Sequence, residues 1–305
     1  MKWVQAAAFG ALLVGDGGCS DALNKFTTDS TAPVLKIAAG SMDAEPDLTL
    51  AREAAPGNIK TVDGFLMASP ENPDLLELVA QSYTQYAFGF LEDDLEAMPP
   101  DDSPARQLLV GRCTGLYDRA NAIALRLVAL SDKGFAASMK GDNATVERAL
   151  AKRKRRDAPG LYWAGLSLAS AINLHRDDMD RVAELPRAIA LLERSHQLDP
   201  SYFHHGAALA LGVVYASQGK AVGGDPEKAK RYFDETIGAS DGKYLMAKVL
   251  MARFYATQLQ DRTLFEATLK SVLATPSSVW PEQRLANELA RRRAARYLTQ
   301  VEDLF

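Results

Sequence analysis

The chain has 305 residues, of which 47% are hydrophobic and 24% charged, so it can bury a substantial core. Its 35 lysines and arginines stand against 39 aspartates and glutamates, giving a net charge of −4. This balance excludes a strong basic field, and we therefore expect no nucleic-acid partner.

The first residues have the pattern of an export signal. An apolar run extends from Trp3 to Val14, which is too short to remain as a membrane-spanning helix. Small residues then precede Cys19, as they do in the lipobox of bacterial lipoproteins, although Asp16 occupies a position where Leu is usual. The alternative is an ordinary exported protein with a free cysteine.

We interpret residues 1–18 as a lipoprotein signal peptide and Cys19 as the lipidated residue. Residues 20–32 are small and polar, as in a tether between a membrane and a folded body. We therefore predict a lipid-anchored tether over residues 19–45.

The next part of the chain has helical signals separated by breaks. Two short helices are predicted between Pro46 and Met67, each entered at a proline. Asn72 followed by Pro73 is typical of a helix start, and Ser103 followed by Pro104 predicts a long helix to about Leu130. The segment between them, residues 92–102, is predicted as an acidic loop.

A central helix is predicted from Pro159 to about Asn173, and its many small residues indicate close packing. The basic run that precedes it, residues 152–156, is interpreted as a solvated helix end. The polar segment that follows, residues 175–180, is interpreted as a solvated, helix-capping corner.

The clearest pattern lies between Pro186 and Ile237, where residues repeat with the spacing of a tetratricopeptide repeat of period 34. Leu211, Gly212 and Tyr215 fall at its positions 7, 8 and 11. Further helices are predicted over residues 243–260, 263–273 and 281–305, the last with an arginine-rich polar face typical of a capping helix. We therefore predict an all-α fold, with tetratricopeptide-repeat-like hairpins stacked into one solenoid-type domain over residues 46–305.

Enzyme signatures are absent from the sequence: it contains no GxSxG, HExxH or phosphate-binding GxxxxGK[ST] pattern. His204 and His205 are adjacent and would point about 100° apart on a helix, so they do not predict a shared metal. We expect no catalytic residue, no metal and no cofactor.

Aromatic residues on the predicted helices are the remaining candidates for a site. Residues on the first helices of such hairpins line the concave side, where they could form a groove for a hydrophobic ligand or a partner segment. The alternative is that they fill the core between helices. The candidates are Tyr83, Tyr86, Trp163, Asn173, Tyr215 and Tyr255.

Several strings in the chain carry a family resemblance, among them PDLLELVAQSYTQYAFGFLE from Pro73, LYWAGLSLASAINLHRDD from Leu161, GGDPEKAKRYF from Gly223 and the terminal VEDLF. With these strings the chain resembles the T-component (TatT) family of lipoproteins associated with tripartite ATP-independent periplasmic (TRAP) transporters. His175 departs from the family pattern, in which Ser is more usual before the Arg-Asp-Asp corner.

The resemblance implies a periplasmic, lipid-anchored, non-enzymatic protein. It also implies a trimer with a pore-like passage that docks the solute-binding protein of the transporter and could pass a hydrophobic ligand. Ser20 after Cys19 favours sorting to the outer membrane over the inner. The alternative is a general scaffold for envelope complexes with no ligand of its own.

Overall fold

A computed structural model describes residues 17–101, 103–219 and 223–305, with side chains from residue 23 onward. Apart from its last two residues, the predicted signal peptide lies outside this part of the chain. Every regular element in the described residues is helical, with no strand, so the predicted all-α fold is confirmed.

The helices are numbered in chain order. They are α1 Gly17–Asp43, α2 Leu48–Ala68, α3 Pro73–Tyr86, α4 Glu92–Ala97, α5 Pro104–Ala129, α6 Phe135–Ser138, α7 Asn143–Ala151, α8 Ala158–Asn173, α9 Met179–Val182, α10 Leu185–Leu198, α11 Tyr202–Ser217, α12 Pro226–Ala239, α13 Leu245–Leu250, α14 Arg262–Ala274, α15 Arg284–Thr299 and α16 Val301–Leu304. Two π-helical segments, π1 Ala87–Leu91 and π2 Met251–Ala256, follow α3 and α13 directly.

Side-chain caps begin several helices where the sequence predicts them. Asn72 Oδ1 accepts the Leu75 N–H at 3.1 Å, with Pro73 as the first residue of α3. Ser103 Oγ accepts the Arg106 N–H at 3.4 Å at the start of α5. Each cap satisfies an amide that the first helical turn leaves without an internal partner, which is why these short local patterns predict the helix starts correctly.

The two helices predicted between residues 46 and 67 are a single helix, α2, so that prediction was wrong. Pro56 lies inside it and faces solvent. Its buried side chains continue through the proline at helical spacing, from Ala51 and Ala55 to Ile59. Burial of this continuous apolar face outweighs the hydrogen bond that the proline removes.

The segment predicted as a tether is helical, and part of it packs on the domain. In α1, Thr28 and Ala32 are buried against neighbouring helices. Asp29 accepts hydrogen bonds from Ser69 Oγ at 2.6 Å and Asn72 Nδ2 at 2.8 Å. These contacts tie α1 to the turn between α2 and α3. Attachment of this segment to lipid stays a prediction.

Successive helices pack against one another along most of the chain, α2 on α3, α3 on α5, α5 on α8, α8 on α10, and onward through α11 and α12. The last long helix, α15, also packs against α1 and α2. The stack therefore curves until its end contacts its beginning. The inner side of the stack is enclosed instead of forming an open groove.

The acidic segment over residues 92–102 is not a loop throughout, as predicted, because α4 occupies its first half. Asp93 is 1% exposed and lies against the arginines of α15, with Asp93 Oδ1 2.8 Å from Arg296 Nη2 and 3.5 Å from Arg293 Nε. Arg293 is also 1% exposed, so the prediction of a wholly polar outer face for this helix was wrong there. A buried carboxylate persists here because cations surround it.

The backbone at the start of α11 also departs from the sequence prediction. Phe203, His204 and His205 have φ values of 48°, 57° and 61°, so they lie in the left-handed region and regular helix begins at Gly206. The helical geometry assumed for the histidine pair was therefore wrong. The His204 ring instead lies against Trp280, with 4.8 Å between ring centroids. Such backbone is costly for residues with a Cβ, and the aromatic contacts help to hold it.

Candidate functional site

The enclosed inner side of the stack contains a cavity of about 670 Å³. Its walls come from the helices that open each predicted hairpin, namely α3, α8, α11 and α13, together with parts of α1, α2 and α15. The volume lies within the range of small-molecule sites in proteins. We refer to this space as the inner cavity.

An aromatic cluster forms one wall of the inner cavity. Trp163 lies edge-on to Phe203, with 4.7 Å between ring centroids, and Tyr162 lies 4.6 Å from Trp163. The Trp163 Nε1–H donates a 2.8 Å hydrogen bond to the Tyr202 hydroxyl, which in turn donates to Glu77 Oε1 at 2.7 Å. These bonds satisfy the polar atoms of the two rings, so the surface facing the cavity is apolar.

Two glycines allow the helices around this cluster to approach closely. A Cβ on Gly165 of α8 would lie 2.8 Å from a Leu192 side-chain atom of α10. A Cβ on Gly206 would lie 2.6 Å from the ring of Tyr162. Both distances are shorter than van der Waals contact, so these positions require glycine for the wall to keep its present packing.

Polar residues lie at one end of the inner cavity, where a second cavity of about 510 Å³ adjoins it. Arg176 Nε donates a 3.0 Å hydrogen bond to Asn173 Oδ1, and Arg176 Nη1 contacts the Ser217 carbonyl oxygen at 3.4 Å. The residues that border both cavities are Glu92, Asn173, Arg176, Ser217, Gln218 and Phe254, and we refer to them as the polar junction.

Two acidic groups on the cavity walls have raised pKa values. Burial raises the pKa of Glu92 to about 7, against the lowering effect of the hydrogen bond donated by the Tyr117 hydroxyl. Burial likewise raises the pKa of Asp43 to about 6, and Gln85 Nε2 lies 3.5 Å from its Oδ1. Both carboxyl groups therefore change charge near neutral pH.

Three of the six residues predicted for a groove line the inner cavity, namely Tyr86, Trp163 and Asn173. Tyr83, Tyr215 and Tyr255 do not line it. The Tyr83 hydroxyl donates to Asp63 at 3.2 Å, and Tyr255 is 9% exposed within the core.

Tyr215 lies between neighbouring helices, where its hydroxyl donates to Glu193 at 2.9 Å and its ring stacks on Tyr232. Tyr83, Tyr215 and Tyr255 all occupy position 11 of the repeat pattern. That position faces the adjoining helices here instead of the inner cavity.

Other cavity residues were missed in the sequence. Tyr162 adjoins Trp163 and could have been found as part of an aromatic pair. Phe203 faces the cavity only because of its left-handed backbone, which no local pattern predicts. Arg176 was interpreted as part of a solvated corner, although it borders both cavities. The corner itself does contain the predicted cap, since Asp178 Oδ1 accepts the N–H groups of Asp180 and Arg181.

The described part of the chain contains no group of three or more His, Cys, Asp or Glu residues arranged to hold a metal ion. No helix within it is long and apolar enough to cross a membrane. Cys113 is buried and free, in agreement with the sequence prediction that it packs in the core. The side chain of Cys19 lies outside the described residues.

Comparison with known families matches residues 44–305 to the model of the TRAP transporter T-component. The chain belongs to the TRAP transporter T-component family. This T-component is also similar to an uncharacterized protein of Treponema pallidum (strain Nichols), with 26% identity over 262 residues. The alignment covers 86% of this chain and 81% of the relative. Membership makes the protein an accessory component of a TRAP transport system and indicates a location in the cell envelope.

Proposed function

We propose that this T-component is a non-enzymatic periplasmic lipoprotein that docks the solute-binding protein of its transporter and passes it a hydrophobic ligand. The observation that carries the proposal is the inner cavity, an enclosed space with an aromatic wall in a member of a transport family. Apolar walls with few polar groups are typical of sites for small hydrophobic molecules.

The ligand part of the proposal can be tested with N-phenyl-1-naphthylamine, a neutral apolar dye whose fluorescence rises in apolar surroundings. Ser170 lines the inner cavity, and Ser170→Phe would fill part of it. Ser271 lies on the exposed side of α14, away from the cavity, so Ser271→Phe is a matched control. We expect the first variant to lose dye binding and the second to keep it. Absence of dye binding by the unmodified protein would instead favour a scaffold with no ligand of its own.

The docking part of the proposal concerns the neighbouring transport proteins. We expect the protein to form a defined oligomer, a trimer by family resemblance, and to take up the solute-binding protein encoded beside it. Sedimentation velocity of each protein alone and of the mixture measures both properties. A protein that sediments unchanged in the mixture would contradict docking. The dye experiment would still decide the ligand part.

The anchoring part of the proposal places lipid on Cys19, with the outer membrane favoured by Ser20. Exposed apolar side chains on α1 support a position close to a membrane or a partner, because they follow Cys19 at spacings that share one helix face. They are Leu23, Phe26, Val34 and Ile37. We expect palmitate labelling of the protein in cells, loss of the label in Cys19→Ser, and recovery of the variant in the soluble fraction. Labelling that persists in the variant would contradict this assignment.

A further inference from the structure

The polar junction contains an arginine that has no acidic partner. Arg176 contacts only the neutral oxygens of Asn173 and Ser217, and no ion pair with a carboxylate involves it in the described ranges. Its neighbour Arg181, by contrast, pairs with Asp118 at 3.1 Å. Arg176 remains accessible to solvent while protein surrounds it, as expected for a side chain at the mouth of a concavity.

A second arginine lies on the same side of the junction. Arg253 lines the second cavity and lies 5.7 Å from the centroid of the Tyr297 ring and 6.0 Å from that of Phe254. Within the described part of the chain it also lacks an ion pair. Partial burial, together with the charge of Arg253, lowers the pKa of Arg176. The two cations are therefore placed together without the counter-charge that such a pair requires.

The acidic side chains nearest this point are directed elsewhere. Glu96 is 2.6 Å from Arg296 Nη2 and accepts the Tyr297 hydroxyl at 2.6 Å. Glu92 accepts the hydroxyl of Tyr117, and its raised pKa leaves it partly protonated near neutral pH. Neither carboxylate forms an ion pair with Arg176 or Arg253. The junction thus keeps a local excess of positive charge at the end of an apolar cavity.

We propose that the site takes an amphipathic carboxylate, with its apolar body in the inner cavity and its charged group against Arg176, close to Arg253. This inference rests on the proposed function, because it requires that the inner cavity binds a hydrophobic ligand. A guanidinium group presents paired N–H donors that match the two oxygens of a carboxylate. The charge of the ligand would also replace the counter-charge that the junction lacks.

The experiment compares dodecanoate with dodecan-1-ol, which share an apolar chain and differ in charge. Each displaces N-phenyl-1-naphthylamine from the full-length protein at about pH 8, where a carboxylic acid is ionised. We expect the acid to bind about tenfold or more tightly than the alcohol, the size of effect that a charge-assisted hydrogen bond supplies. Arg176→Gln should remove this preference, and Arg181→Gln, which alters the neighbouring exposed pair, should retain it.

Equal binding of acid and alcohol by the unmodified protein would overturn the inference and leave the proposed hydrophobic site intact. The same holds if Arg176→Gln and Arg253→Gln both keep the full preference for the acid. Failure of the dye and of both chains to bind would remove the proposed ligand function itself, so the two failures are distinguishable. Circular dichroism of each variant checks that a lost preference does not come from unfolding.

Discussion

The buried ion cluster between α4 and α15 gives the sharpest test of how this fold closes. Asp93 is 1% exposed and lies within 3.5 Å of nitrogen atoms of Arg292, Arg293 and Arg296. Asp93→Asn keeps the shape of the side chain and removes its charge. Arg293, also 1% exposed, would then keep its positive charge with less compensation.

Breaking a buried pair by removing one partner costs about 3–5 kcal/mol, because the remaining charge stays desolvated. For a domain of this size that cost corresponds to a fall in melting temperature of roughly 10 °C. Thermal and urea unfolding followed by helical circular dichroism measure both quantities. We expect the urea midpoint of Asp93→Asn to fall with little change in the slope of the transition.

Asp94→Asn is the matched control, because it makes the same substitution at the next residue. Asp94 pairs with Arg52, and their side chains are 31% and 38% exposed. Pairs at such exposure contribute about 1 kcal/mol or less. If the two variants lose stability equally, the reasoning from burial is refuted, and the cluster does not hold α15 in place.

Two further predictions concern Glu92 and a close helix contact. Because the pKa of Glu92 rises from 4.5 to about 7 on folding, stability should fall as pH rises from about 4.5 to 7. Glu92→Gln should remove much of that fall and add up to about 3 kcal/mol above pH 7; an unchanged pH profile would contradict this. Gly165→Ala should cost about 1–3 kcal/mol, because its Cβ would lie 2.8 Å from Leu192. Gly115→Ala, with nothing within 4 Å, should cost nothing, and similar losses in both variants would refute the packing argument.

Helix starts were predictable because their causes are local. The caps at Asn72 and Ser103 each depend on residues within three positions of one another. The pairing of Asp93 with Arg293 had no such signal, since the two residues are separated by most of the chain. Each looked like an ordinary surface charge in its own segment. Only the return of α15 to the start of the stack brings them together.

The candidate site was partly predictable for a related reason. Helical spacing identifies the apolar residues of a helix, but the direction of each depends on which neighbour covers it. Tyr215 faces α10, where Glu193 accepts its hydroxyl, whereas Trp163 faces the inner cavity. Arg176 carried no signal because an arginine in a polar corner is normally solvated. Its significance arises from two cavities that meet there.

The two π-helical segments make chain length more critical than composition at two points of the wall. A π segment accommodates an extra residue within a helix, and each residue of an α-helix advances the next by about 100°. Deleting one residue from Ala87–Leu91 would restore regular winding and rotate Asp93 away from α15. The same deletion in Met251–Ala256 would turn Phe254 out of the cavity wall. Relatives that keep this closure should therefore vary in sequence within these segments while keeping their residue count.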